Sequence, residues 1–198
     1  LIAYTVTIYS AYSDRRDRLD MMDTLQSGND SGVALLLSAA TGKGLASLDQ
    51  IWSPWLEEFE RLEKNYRTVD GYLLLFAPDM STHWSVDAPT VLDAAALRNT
   101  LVFGPADQEA ANCLAKGSVA IASLAEHYRH RVLSLRTYPP RPSIDRPEFD
   151  YCAASLAAAS IATPTDLERA WIDFQAFRSH YSKHVALLTR MLPHNGNM

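Results

Sequence analysis

The most regular feature of the chain is a stripe of apolar residues whose spacing alternates between three and four. Its members are Leu45, Leu48, Trp52, Trp55, Phe59, Leu62, Tyr66, Val69, Leu73 and Phe76. This spacing places them on one face of a helix, or of two collinear helices. Ser53 followed by Pro54 predicts a new helix start within the stripe. The aromatic residues favour the core of a helical bundle over the aliphatic seam of a two-stranded coiled coil.

Four later segments also have helical spacing, and none alternates convincingly as a strand. The predicted helices cover residues 89–103, a longer segment from Leu114 to Leu135, an alanine-rich segment at 148–162, and a last helix capped by Thr163 and Pro164. The stripe of that last helix consists of Leu167, Trp171, Phe174, Tyr181, Val185, Leu188 and Leu192. Residues 136–147 contain four prolines and are predicted to be an extended connector. We therefore expect an all-α fold, a single bundle of six or seven helices.

The first residues differ from the rest of the chain. Residues 1–12 carry no charge, and Arg15, Arg16 and Arg18 follow directly. A membrane span needs about 20 apolar residues, so twelve are too few for an independent one. Because the chain begins with Leu instead of Met, we interpret it as a fragment in which residues 1–12 end a transmembrane inner helix. The arginines then mark the cytoplasmic side, and residues 13–198 form a cytoplasmic all-helical domain. The alternative is an ordinary amphipathic first helix of a soluble domain.

Composition and charge narrow the class of protein. The chain has 198 residues, of which 47% are hydrophobic and 21% charged, which is enough for one full core without disulfides or metals. The net charge of -5, with no dominant basic face, disfavours nucleic acid as a partner. Cys113 and Cys152 are too few for a disulfide framework and fit a reducing compartment.

Motifs that carry chemistry are sparse. The sequence Thr41-Gly42-Lys43-Gly44 resembles a phosphate-binding loop but lacks that motif's first glycine and the Ser or Thr after the lysine. We predict a helix C-cap and a turn there. Glu126 and His130 are one residue too far apart for the Glu-x-x-His of a di-iron bundle. We predict no catalytic residue and no cofactor.

One metal site stays open as an alternative. His180 and His184 are four residues apart, and Asp173 precedes His180 by seven, so a single helix would carry all three on one ridge. The glutamate of a His-Glu-x-x-His motif is missing, because Tyr181 follows His180. The alternative function is a soluble all-helical metal-dependent enzyme that uses His180 and His184.

The first hundred residues resemble a known family of membrane proteins. The resemblance rests on the run from Ile8 to Arg16, on Trp52-x-x-Trp55, on residues 72–76, and on His83-Trp84-Ser85 ahead of residues 91–97. These segments are similar to the cytoplasmic carboxy-terminal domain of bacterial two-transmembrane potassium channel-like proteins. In that family the arginine-bearing segment directly follows the inner pore helix. The chain departs from the family pattern at residues 67–72 and at Ala77-Pro78.

The resemblance implies a function without catalysis. The domain would serve assembly or gating of an ion channel for potassium transport, on the cytoplasmic side of the cell membrane. Its expected partners are its own transmembrane pore segment, further copies of the chain in a homo-oligomer, and the anionic membrane surface, which Arg15, Arg16 and Arg18 would contact. Trp52, Trp55 and Trp84 are the expected structural anchors. The 198 residues contain no Thr-Val-Gly-Tyr-Gly filter and cannot themselves conduct.

Overall fold

The described part of the chain is a bundle of α-helices. A computed structural model describes residues 31–65, 84–104, 107–129 and 144–189, without the side chains of Asn65, Trp84, Ser85 and Val86, and also Ser13, Asp17, Asp20, Met21, Thr24 and Asn29. Within these residues the helices are α1 (Gly32–Thr41), a short 3-10 helix (Leu45–Leu48), α2 (Asp49–Asn65), α3 (Trp84–Leu101), α4 (Gln108–Tyr128), α5 (Arg146–Ala158), α6 (Leu167–Ser179) and α7 (Ser182–Thr189). The predicted all-α bundle is confirmed.

Side-chain caps begin four of these helices. The hydroxyl of Ser31 accepts a hydrogen bond from the Ala34 N–H at the start of α1, and aspartates do the same for the next three capped helices. Those aspartates are Asp107 for α4, Asp145 for α5 and Asp166 for α6. At α5, Glu148 also accepts from the Asp145 N–H, which completes a capping box. Each cap satisfies backbone donors that the first turn leaves without an intrahelical acceptor.

Helix α3 is the centre of the bundle. All residues from 87 to 97 are buried, which is unusual for a helix in a domain of this size. A helix buried on every side needs neighbours all round. Helices α1, α2, α4, α6 and α7 each pack against it, so most of the other elements are positioned relative to α3.

Two glycines allow close contact between helices. A Cβ on Gly32 of α1 would lie 2.6 Å from the backbone nitrogen of Ala94 in α3. A Cβ on Gly117 of α4 would lie 2.6 Å from both the Phe59 ring and the Leu92 side chain. Real Cβ atoms essentially never come that close to another heavy atom, so larger residues at these positions would force the helices apart.

Two predicted helix starts differ from the structure. The helix start predicted at Ser53 and Pro54 is wrong, since α2 runs unbroken through Pro54 and the change to α-helix occurs after the 3-10 turn that ends at Leu48. Proline here costs one backbone hydrogen bond, and the burial of Trp52 and Trp55 on either side offsets that loss. Helix α3 begins five residues before the predicted start at Pro89.

The predicted connector at residues 136–147 and the helix after it also have shifted ends. Residues 136–143 lie outside the described residues, and α5 already begins at Arg146, with Pro147 in its first turn. The helix ends at Ala158 and not at 162, because Ser160 adopts a left-handed φ of 61° and Ile161 donates its N–H to the Leu156 carbonyl. This hydrogen bond and the left-handed Ser160 form a helix C-terminal motif in which glycine usually occupies the left-handed position.

The last predicted helix is divided in two. Asp166, and not Thr163, caps α6, and a turn at His180 and Tyr181 separates α6 from α7. The N–H groups of His180 and Tyr181 bond to the carbonyls of Phe177 and Arg178, three residues back. The turn redirects the chain so that Tyr181 points into the core. Periodicity alone cannot show such a turn, because the stripe continues on both sides of it.

Within the described ranges, none of the helices is both long enough and apolar enough to cross a membrane.

Candidate functional site

The two tryptophans of the apolar stripe are core residues. Trp52 and Trp55 are both 0% exposed, and the Trp55 ring lies 5.4 Å from the ring of Phe59. Among the described residues neither indole N–H has a hydrogen-bond partner. Buried tryptophans usually find one, so these two contribute through packing. Trp84 is the first residue of α3, and its side chain lies outside the described residues.

A buried polar cluster joins the later helices to α3. One carboxylate oxygen of Asp93 accepts a hydrogen bond from the Tyr181 hydroxyl at 2.5 Å and from Nε of Arg178 at 3.0 Å. The side chains of Asp93 and Arg178 are each 12% exposed. Arg178 also reaches the carbonyl oxygen of Ile144, just before α5, at 3.5 Å. A single aspartate on the central helix therefore contacts both α6 and the α6–α7 turn.

Burial and the Asp93 carboxylate both affect the tyrosine of this cluster. The pKa of Tyr181 is raised well above its usual value, first by burial and then by the negative charge of Asp93. The phenol therefore stays protonated and donates to the carboxylate. Arg178 opposes this shift in part. The hydrogen bonds from the Tyr181 phenol and the Arg178 guanidinium offset the cost of burying the Asp93 carboxylate.

A second ion pair joins the end of α3 to the start of α4. Arg98 Nε lies 3.3 Å from a carboxylate oxygen of Asp107, and both side chains are mostly buried. The two charged groups are close enough for an ion pair, but the Nε–H of Arg98 makes no hydrogen bond. Since Asp107 also caps α4, this contact fixes how the two helices follow one another.

The outer helices α5 and α6 are joined by exposed charges. Arg146 at the start of α5 donates to both carboxylate oxygens of Glu168 in α6, at 2.7 and 2.9 Å, and to Asp150 one turn along. These hydrogen bonds raise the pKa of Arg146 above its usual value and lower the pKa of Glu168. Pairs that face solvent contribute less to stability than buried ones.

The predicted membrane-facing arginines belong to the first segment of the chain. Arg15, Arg16 and Arg18 lie outside the described residues, as do residues 1–12. The separate positions around them that are described, Ser13, Asp17, Asp20, Met21 and Thr24, are all in helical conformation. The Thr24 hydroxyl donates to the Asp20 carbonyl, which is a contact across one helical turn.

The residues of the alternative metal site are not brought together. Asp173 lies in α6 and is paired with Arg169, while His180 is exposed at the end of that helix. His184 lies in α7, beyond the turn, so the single ridge expected for the three side chains does not exist. Within the described ranges, no three His, Cys, Asp or Glu side chains are grouped as metal ligands.

The other motifs have structural explanations. The turn predicted at residues 41–44 is confirmed: Gly42 caps α1 by donating to Ser38, and Gly44 donates to Ala39 with a φ of 87°. Both cysteines are buried and free. Burial raises the pKa of the Cys152 thiol to about 12 and that of Cys113 further, which disfavours the thiolate form of both.

An apolar groove that no sequence pattern predicts lies on the surface of α4. The groove has a volume of about 480 Å³. Helix α4 supplies most of the lining, α3 supplies Asn99, and Phe177 and His180 complete it from the end of α6. Among the lining residues that the structure describes, none carries a carboxylate, an ammonium or a guanidinium group. The small side chains of Ala111, Ala115, Ser118 and Ala122 leave this space open. In the sequence, such alanines indicate only a helix, because alanine is the strongest helix former.

The chain was also compared with known proteins. No protein-family model, no curated protein and no solved structure matches it. The resemblance to potassium channel-like proteins therefore stays a prediction.

Proposed function

We propose that the chain is a non-enzymatic cytoplasmic domain of a small potassium channel-like membrane protein and that it serves assembly or gating. The observation that carries the proposal is the change from the apolar residues 1–12 to Arg15, Arg16 and Arg18. Arginines directly after an apolar segment are typical of the cytoplasmic end of a membrane helix. The helical conformation of the described positions from Ser13 to Thr24 supports a helix that continues from the membrane towards the bundle.

The mechanism is mechanical. A helix through residues 1–25 would transmit reorientation of the bundle to the pore, which requires a bundle that moves as a unit. The burial of α3 between five neighbours supports this requirement, and so does Asp93, which connects α3 to both α6 and the turn before α7. The partners in this proposal are the chain's own pore segment and further copies of the chain.

The alternative, a metal-dependent enzyme, has less support. It needs Asp173, His180 and His184 to converge, whereas Asp173 is paired with Arg169 and a turn separates the two histidines.

Binding to vesicles tests the membrane-facing part of the proposal. We expect the 198-residue chain to bind vesicles of phosphatidylglycerol and phosphatidylcholine more tightly than vesicles of phosphatidylcholine alone. Each arginine near an anionic surface contributes about 1 kcal/mol. Replacing Arg15, Arg16 and Arg18 with Ala should therefore weaken binding to the anionic vesicles about 100-fold, measured by cosedimentation.

A matched variant controls for net charge. Replacing Arg61, Lys64 and Arg169 with Ala removes three positive charges from exposed helix positions. This variant should keep binding to anionic vesicles close to the parent's. Equal loss in both variants, or equal binding to both kinds of vesicle, would contradict the proposed orientation.

A further inference from the structure

A cleft with both apolar and charged lining residues lies beside the turn that follows α1. Its volume is about 440 Å³, within the range of about 300–1,000 Å³ that is usual for small-ligand sites. The second half of α1, the turn at residues 42–44, the 3-10 helix and the first residues of α2 line it, and Thr24 and Asn29 also contribute. We call it the α1–α2 cleft.

The apolar part of the α1–α2 cleft belongs to the hydrophobic core. Leu35, Ala39, Leu48 and Ile51 line the cleft, and each is at most 8% exposed. They come from α1, the 3-10 helix and α2, which pack against one another. The described lining residues include no aromatic ring on which a base or a sugar could stack. This part of the cleft therefore favours an aliphatic group.

Lys43 gives the cleft a single positive charge. Its side chain is exposed, and it makes no ion pair with the residues that the structure describes. None of the other described lining residues carries a carboxylate or a second cationic group. A ligand group beside Lys43 therefore meets a positive charge that no neighbouring acid neutralises. This favours an anion and disfavours a metal ion.

The glycine N–H groups beside Lys43 are already used within the fold. The Gly42 N–H donates to the Ser38 carbonyl at 3.0 Å. The Gly44 N–H donates to the Ala39 carbonyl at 2.9 Å. These groups cannot surround a phosphate as the backbone of a phosphate-binding loop does. The same hydrogen bonds partner two carbonyl oxygens at the end of α1 that would otherwise repel an anion.

The charge of the ligand follows from the charge of the cleft. A phosphate monoester carries about -1.5 to -2 at pH 7, whereas a carboxylate carries a single negative charge. One ammonium group, without backbone donors to assist it, matches the carboxylate better. The adjoining apolar surface adds the requirement for a hydrocarbon part.

We propose that the α1–α2 cleft binds a small aliphatic carboxylate. Its carboxylate group lies beside the Lys43 ammonium, and its hydrocarbon part lies against Leu35, Leu48 and Ile51. Burial of the hydrocarbon part supplies affinity, while the ion pair orients the ligand. Because an ion pair at an exposed lysine contributes little, the site needs both parts of the ligand.

Titration with hexanoate, followed by backbone NMR of the isotope-labelled 198-residue chain at pH 7, tests this proposal. We expect saturable shifts of amide signals concentrated in residues 35–51. Three probes with the same hydrocarbon chain serve as comparisons: 1-hexanol has no charge, hexylamine has the opposite charge and hexyl phosphate has more negative charge. Hexanoate should bind most tightly of the four, by about fivefold over 1-hexanol.

Substitutions of Lys43 test recognition of the carboxylate. Lys43→Ala should weaken hexanoate binding about fivefold and leave 1-hexanol binding unchanged. Lys43→Arg keeps the charge and should retain most of the hexanoate affinity. Lys64→Ala removes the same charge from an exposed position on α2 and should leave both affinities at the parent's values.

A second pair of variants tests the location of the hydrocarbon part. Ser38→Trp places a large side chain in the cleft from an exposed helix position. It should weaken binding of hexanoate and of 1-hexanol by at least about tenfold. Ala154→Trp, at an exposed position on α5, adds a ring elsewhere and should change neither affinity.

Four results would overturn the proposal. The first is the absence of saturable shifts in residues 35–51 of the folded parent. The second is equal affinity for hexanoate and 1-hexanol, and the third is a Lys43→Ala protein that binds hexanoate as the parent does. The fourth is tighter binding of hexyl phosphate than of hexanoate, since that result would assign the cleft to phosphate esters.

Discussion

The two halves of the bundle are held together by different physical means. In the first half, α2, α3 and α4 meet through fully buried apolar side chains, with Trp52, Trp55 and Phe59 at the contact. In the second half, the rings of Phe149, Trp171 and Phe174 join α5 to α6, with centroids 5.1 to 5.7 Å apart, and polar contacts add to this packing. Asp93 joins the second half to the first through Arg178 and Tyr181. Apolar packing thus holds both halves, and the contacts of Asp93 additionally orient the second half on α3.

This difference has consequences for stability. Each side chain in the first half makes many small apolar contacts. A substitution there should therefore lower the free energy of unfolding in proportion to the side-chain volume that it removes. The Asp93 cluster consists of few groups, so losing one of them removes a hydrogen bond from a buried charged group. The change in the free energy of unfolding that a substitution causes should therefore differ between the two halves, both in magnitude and in its dependence on pH.

The largest effect is expected from Trp55→Ala. Trp55 is 0% exposed and its ring packs against that of Phe59, so truncation leaves a large cavity. The free energy of unfolding should fall by about 3–5 kcal/mol, measured by urea denaturation. Tyr151→Ala is the control, because Tyr151 is 63% exposed and should cost well under about 1 kcal/mol. A Trp55→Ala protein as stable as its parent would place the stripe at a partner surface instead of the core.

Tyr181→Phe should have an intermediate effect that depends on pH. It removes the hydroxyl that donates to Asp93, at an expected cost of about 1.5–3 kcal/mol for a hydrogen bond to a charged group. Urea denaturation at pH 7 measures this, and exposed Tyr151→Phe is the control.

The pH dependence of the same variant gives a second, independent readout. The folded state raises the pKa of Tyr181 above the unfolded value near 10, so the folded phenol keeps its proton while the unfolded one loses it. Tyr181 therefore stabilises the fold below pH 10, and this stabilisation is lost as pH rises above 10. The parent should lose stability more steeply than Tyr181→Phe in that range. Parallel curves would mean that Tyr181 is not protonated against Asp93.

The smallest effect is expected from His184. Burial, followed by the nearby charge of Lys183, lowers its pKa below the unfolded value of 6.5, and Glu126 opposes this in part. As pH falls, His184 is therefore protonated in the unfolded chain at a higher pH than in the folded one. The folded state loses stability as pH falls below 6.5. His184→Gln should remove part of that loss between pH 7 and pH 5 in thermal denaturation. If the variant lost stability more steeply than the parent as pH falls, the pKa of His184 would be raised in the folded state and not lowered.

The sequence predicted the first half of the bundle better than the second. The stripe from Leu45 to Leu62 follows helical periodicity, and its buried members are the predicted ones, because burial of one face is a local property of the pattern. Pro54 was misinterpreted as a helix start, since local rules ignore the packing that keeps α2 continuous. Tyr66, Val69, Leu73 and Phe76 lie outside the described residues.

The Asp93 cluster and the α4 groove could not be predicted in this way. Asp93 pairs with residues 85 and 88 positions later, and no local pattern joins partners at that distance. The turn at His180 also separates the candidate metal ligands although the apolar spacing continues through it. The groove arises from alanines and a serine whose place beside Phe177 depends on how α6 packs.

Hydrogen exchange in the presence of vesicles tests the central claim most directly, namely that the chain meets a membrane through its first segment while the bundle stays folded. With phosphatidylglycerol vesicles, backbone exchange should slow in peptides covering residues 1–25. Exchange in the central helix, residues 87–97, should not change. Vesicles of phosphatidylcholine alone should have a much smaller effect on either region. Slower exchange only in other parts of the chain, or faster exchange in residues 87–97, would contradict the account.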